Sequence, residues 1–136
     1  MSARTKARKR AIDVLYGADL RERALADALV EEERRAAQQP AREASWRYAR
    51  DIVEGVDAHR EQIDTAIAAH AHGWTLERMP VLDRAIIRAG AWEILFNDEV
   101  PDAVAISEAV QLASELSTDD SGSFVNGVLS AIARER

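Results

Sequence analysis

An all-α fold of six or seven helices is predicted by three features of the 136-residue sequence. Alanine provides 26 residues while Phe, Trp and Tyr together provide seven, so the apolar content is small, unbranched and helix-favouring. Apolar positions recur at i, i+3, i+4 and i+7 through most of the chain, and no segment reads as a strand. The length fits one core, so residues 1–136 are read as a single helical domain without internal repeat or low-complexity tract.

The first helix is placed over residues 4–18, where Ala11, Val14, Leu15 and Ala18 form the buried face and Gly17 stands near the end. Residues 22–35 form the second, with Leu25, Ala28 and Leu29 inward and Glu31 to Arg35 outward. Gln38-Gln39-Pro40 breaks the pattern. From Ala44 the positions Ala49, Ile52, Val53, Val56, Ile63, Ala66 and Ile67 keep helical spacing across Gly55, which predicts one long helix, straight or bent, ending by Gly73. Pro80 opens a helix through Phe96 with only four charges, Asp83, Arg84, Arg88 and Glu93, which makes it the central one. Arg84 and Arg88 share an edge of it, as a rim stripe or as salt-bridge donors. Pro101 starts a helix with Ala105, Ala109, Leu112, Ala113 and Leu116 on one face. Ser117 to Ser121 read as a cap cluster before a last helix carrying Phe124, Val128, Leu129 and Ile132, in which Gly127 admits a neighbouring backbone.

Catalytic chemistry is missing from the pattern. Six scattered glycines leave no Gly-x-Gly-x-x-Gly and no Walker loop, and there is no cysteine for a disulfide, thiolate or zinc site. No Glu-x-x-His, His-Glu-x-x-His or Gly-x-Ser-x-Gly occurs, and His70-x-His72 reads as a helix-terminal pair rather than a metal clip. The acids fall mostly on outer faces, so neither an enzyme nor a cofactor is expected. With no apolar run of about 20 residues and no signal-peptide core, the chain is expected to be soluble and cytoplasmic, without membrane contact.

Charge is informative through its placement. Arg4, Lys6, Arg8, Lys9 and Arg10 crowd the first ten residues without an acid, leaving 13 bases against 24 acids elsewhere. A basic first turn opposes the helix macrodipole at about 0.3–1 kcal/mol per charge, so a use other than helix stability is implied. Two uses stay open: gripping a polyanion, or merely solvating a frayed terminus. Tyr16 and Phe124 read either as core residues or as stacking platforms for single-stranded nucleic acid. A protein-only helical scaffold or homodimer, marked by salt-insensitive association, is the competing reading.

Several segments together resemble the NusB family. They are Arg8-x-x-Ala11 before Leu15-Tyr16, Leu82-Asp83-Arg84 through Arg88 to Trp92-Glu93, Val104-Ala105-Ile106-Ser107-Glu108-Ala109-Val110 with Leu112-Ala113, and Phe124-Val125-Asn126-Gly127-Val128-Leu129. Order and spacing also agree along essentially the whole chain. The resemblance implies two small helical bundles around a long shared helix and no catalysis. It further implies binding of boxA-type single-stranded RNA from ribosomal operon leaders together with NusE, a small-subunit ribosomal protein, within the RNA polymerase antitermination complex. RNA contact is then expected at Arg4, Lys6, Arg8, Tyr16, Arg84, Arg88, Asp120, Ser121 and Phe124, and NusE contact at Asp83. Against the family pattern, Ser107 replaces an asparagine, Trp92 a tyrosine and Ser123 a lysine. Asn126 and Gly127 are open to a packing role, Asn126 by bonding backbone groups.

Overall fold

Seven α-helices and one 3-10 turn make up the computed structural model, which describes residues 2–136 and contains no strand among them. The helices are α1 (Ala3–Leu20), α2 (Leu25–Ala37), α3 (Glu43–Ala58), α4 (Arg60–His70), α5 (Val81–Phe96), α6 (Asp102–Leu116) and α7 (Ser121–Glu135), with the 3-10 turn at Pro40–Arg42. One group packs α1, α2 and α3 together and another packs α4, α5, α6 and α7. α5 belongs to the second group and also lies against α1 and α3, so it is the helix the two share. Eleven of its sixteen residues are buried, in keeping with its low charge.

α1 begins where Ser2 caps it, the hydroxyl oxygen accepting the Thr5 N–H at 3.1 Å. It runs past Gly17 and closes in a Schellman pattern, with Arg23 N–H donating to Ala18 C=O and Glu22 N–H to Asp19 C=O. Glu22 takes the left-handed position of that motif at φ 53°, which is why α2 starts at Leu25 rather than at residue 22.

The long helix expected from Ala44 to Gly73 is two helices. The break falls at His59, whose φ of −116° and ψ of 24° leave the helical region, and whose ring stacks on Phe96 at 3.9 Å between centroids. Gly55 remains inside α3 for a packing reason: a Cβ there would fall within the indole of Trp92. Similarly, a Cβ at Gly90 would meet Leu129 Cδ1 at 2.7 Å, so α5 and α7 approach closely at that residue. The expectation for Gly127 is corrected, because it is exposed and nothing lies within 4 Å of the Cβ it lacks. Asn126 is exposed as well, and its side chain accepts only the Ser130 hydroxyl rather than bonding backbone groups.

Candidate nucleic-acid interface

The four charges of α5 tie the helices together. Asp83, 5 % exposed, accepts the hydroxyls of Ser117 at 2.7 Å and Ser121 at 3.0 Å. The residues expected to cap α7 are therefore turned inward: no side chain caps that helix at Asp120, and the serine hydroxyls serve Asp83 instead. Arg84 pairs with Asp19 at 2.7 Å and donates to Leu76 C=O, which fastens the loop between α4 and α5 to the body. Arg88 grips both carboxylate oxygens of Asp64 at 2.9 and 3.0 Å and reaches Asp19 at 3.4 Å. Of the two possibilities for this edge, the salt-bridge donors are the ones observed.

Glu93 receives Arg8 in a fork, Nε at 2.9 Å and Nη2 at 3.0 Å, while Arg8 Nη1 lies 3.3 Å from Glu108. The Tyr48 hydroxyl also donates to Glu93 and accepts from Asn97 Nδ2. Arg8 is 4 % exposed and Glu93 2 % exposed. Burial by itself would lower the Arg8 pKa; Glu93, with help from Tyr48 and Glu108, outweighs it and holds the guanidinium above its ordinary value. Burial and then the Glu93 carboxylate push the Tyr48 phenol upward.

The expected site residues thus separate. Arg8, Asp83, Arg88 and Ser121 are buried and already partnered within the fold. Arg4 and Lys6 are exposed, Arg4 lying over the Tyr48 ring at 4.2 Å and pairing with the exposed Glu99 at 3.5 Å. Asp120 is exposed, and Tyr16, Arg84 and Phe124 are half-buried, with Tyr16 and Phe124 packed against the core.

Two residues the sequence reading passed over join this group. Trp74, 47 % exposed, packs its ring against Phe124 with centroids 6.1 Å apart and planes at 58°. It follows Gly73, whose φ of 80° turns the chain out of α4. Arg60 stands at the start of α4, half-buried, with its Nε enclosed and without a hydrogen-bond partner. Burial, and after it the like charge of Arg88, lower its proton affinity against the pull of Asp64, Asp19 and Asp57. Arg60, Arg84 and Arg88 therefore gather around Asp19 and Asp64, with Asp57 also near Arg60. Through Arg84 this cluster connects to the loop bearing Trp74, and through Asp19 to the turn of α1 that carries Tyr16.

The histidines do not converge: His70 Nε2 lies 3.2 Å from Glu135, while His72 is exposed. Among the described residues no three potential ligands gather as for a metal ion, and no helix is long and apolar enough to cross a membrane.

A helical body, without a strand among the described residues, that presents exposed bases and a paired aromatic surface above an internally neutralised scaffold has the features of a helical nucleic-acid-binding module. The comparisons narrow it: the NusB family model matches residues 5–134, and the chain belongs to that family, which is one of transcription antitermination factors without enzymatic activity. It is 63 % identical over 136 residues to the transcription antitermination protein NusB of Leifsonia xyli, covering 100 % of this chain and 94 % of that protein. With the NusB of Clavibacter michiganensis it shares 61 % over 133 residues, 98 % of this chain and 97 % of the other. Among solved structures, T. maritima NusB superposes with a TM-score of 0.85 at 29 % identity, covering 100 % of this chain and 94 % of that one. A NusB solved with NusE and double-stranded RNA gives 0.85 at 28 % identity, covering 100 % and 99 %. The seven-helix NusB-like fold agrees with the all-α expectation.

Proposed function

We propose that the whole chain acts as one RNA-binding unit, which binds boxA-type single-stranded RNA from ribosomal operon leaders jointly with NusE. In the bacterial cytoplasm the pair then helps RNA polymerase read through terminators. The observation that carries this reading is the full-length likeness to a NusB crystallised with NusE and double-stranded RNA. The surface supports it in detail. Arg4 and Lys6 meet phosphates, Tyr16, Trp74 and Phe124 offer rings to unstacked bases, and Asp120 accepts hydrogen bonds at the rim. Arg60, lacking a partner, is the cation of the α4–α5 cluster free to take a phosphate, and Arg84 backs it. Arg8, Arg88 and Ser121 act beneath this surface by fixing it, as does Asp83, which shapes the 117–121 turn toward NusE.

Salt dependence tests the electrostatic half. Each phosphate neutralised on single-stranded RNA contributes about 0.7 to the log–log salt slope, so Arg4→Ala with Lys6→Ala should flatten it by about 1.4. Binding to boxA-like and scrambled strands should weaken alike, because phosphate contacts carry no sequence information. Arg8 is left intact because its removal strikes the buried pair rather than the RNA. A parental slope in the double variant would return Arg4 and Lys6 to the role of a solvated terminus, and salt-insensitive association would favour the protein-only scaffold.

A further inference from the structure

α1 carries a second basic surface that the residues assigned to RNA above do not use, apart from Lys6. Lys6, Lys9, Asp13, Gly17 and Arg21 follow one another by three or four residues and so form a single stripe, which Arg10, four after Lys6 and three before Asp13, widens. That stripe is turned away from Arg8 and Asp19, which face α5. With α2 and the turn after Pro40 it walls a cleft of about 840 Å³. Seven of the sixteen residues lining the cleft are basic and three are acidic. Glu31 and Glu32 are engaged by Arg23 and Arg35, whereas Lys6, Lys9, Arg21 and Arg42 have no carboxylate within ion-pair distance among the described residues.

One of the cations is held in place rather than merely exposed. Arg10 donates to Arg42 C=O at 3.1 Å and to Ser45 Oγ at 3.2 Å, and lies over the Trp46 ring at 5.5 Å. Among the described residues, the carboxylate within ion-pair distance of it is Glu32, 4.0 Å away. Burial, and then the like charge of Arg42, hold its pKa below the ordinary value, with Glu32 in partial compensation. Arg21 folds back along α1 until its Nη1 lies 3.2 Å from the place a Cβ would take on Gly17, so the guanidinium overhangs the stripe at a residue that has no side chain. Seven cations against three acids leave an excess of positive charge in the cleft, and an anion entering it relieves the repulsion among them.

We propose that this cleft is a second phosphate-binding site, one that takes the backbone of single-stranded RNA continuing beyond the nucleotides held at the Arg4, Tyr16 and Phe124 surface. The inference rests on the RNA reading above. Continuity favours RNA over an acidic peptide: Lys6 lines the cleft and also belongs to the first surface, so one polyanion runs from one to the other without crossing the acidic remainder.

The test compares a short boxA-like RNA with the same RNA extended by unpaired nucleotides on both sides, titrated across a salt series. Lys9→Gln, Arg21→Gln and Arg42→Gln are combined, since Arg21 caps α1 through its backbone and Arg42 is exposed, so the fold does not depend on these side chains. Wild type should prefer the longer RNA, with a slope steeper by about 2 for three phosphates at 0.7 each. Raising salt from 50 to 200 mM should then shrink that preference roughly twentyfold. The triple variant should lose the additional slope while binding the short RNA as wild type does. Arg42→Gln alone, a milder change, should remove about 0.7 of it. An unchanged slope for the longer RNA in either variant, or equal slopes for the two RNAs in wild type, overturns the cleft and leaves the first surface standing. Failure of wild type to bind either RNA overturns both.

Discussion

Glu93→Ala is expected to bring the protein close to unfolding. The substitution removes the carboxylate that receives both the Arg8 fork and the Tyr48 hydroxyl, at a place where Glu93 is 2 % exposed. Arg8 would remain buried with Glu108 at 3.3 Å as its remaining acid. Breaking a buried pair by deleting one partner costs about 3–5 kcal/mol, because the other charge is left uncompensated. Whole domains are stable by only about 5–15 kcal/mol. Replacing both members with apolar residues of similar volume, Arg8→Met with Glu93→Leu, should restore much of the loss, since neither charge then needs a partner. Urea unfolding followed by circular dichroism measures all three proteins. A loss under about 1 kcal/mol for Glu93→Ala, the size typical of surface pairs, would mean that water reaches the Arg8–Glu93 fork.

Trp74→Ala and Phe124→Ala should each weaken binding of a boxA-like RNA by about 1–3 kcal/mol, or roughly 5- to 150-fold, with the salt slope unchanged. Trp74 is the cleaner of the two. Nearly half its surface is exposed, so its loss should leave the thermal unfolding curve in place, whereas Phe124 is partly packed on the core and its variant requires a folding control. Because the two rings touch, the double variant should lose less than the sum of the single losses. Binding within twofold of wild type for Trp74→Ala would remove it from the interface and leave Phe124 as an isolated contact.

How far the sequence could be read is shown by α5. Four charges in sixteen residues marked it as central, and Pro80 and Phe96 marked its bounds. What those charges bind was hidden, because their partners are distant in the chain: Asp19 lies 65 residues before Arg84, and Arg8 lies 85 before Glu93. Spacing along one helix says which side chains share a face and is silent on what that face meets. For Arg8 a signal was present: with Ile12 and Leu15 it forms an i, i+4, i+7 row of buried residues, so an inward arginine was legible there. Reading the first ten residues as a block of charge obscured that row.

The division of the long helix at His59 had no such signal, since neither glycine nor proline stands at the break, and the contact found there, the His59 ring stacked on Phe96, is distant in sequence. Glycine roles were misplaced for the same tertiary reason. Gly55 and Gly90 are filled against by Trp92 and Leu129 from other helices, while Gly127 faces outward. The missing Cβ at Gly55 is what gives the Trp92 indole room. Trp74 was legible as a large aromatic beside a chain-reversing glycine in an otherwise aromatic-poor sequence. Arg60 was not, because its lack of a partner follows from Arg88 taking Asp64, which Arg60 would otherwise reach one turn along α4.

The most direct measurement of the central claim is titration of a boxA-like RNA into this protein with and without saturating NusE, paired with titration of NusE into the protein with and without the RNA. If RNA and NusE are bound jointly, each strengthens the other, and linkage requires the two factors to be equal; couplings of this kind run to about 1–3 kcal/mol, or 5- to 150-fold. The account predicts a matching gain in both titrations. Equal RNA affinity with and without NusE would contradict it.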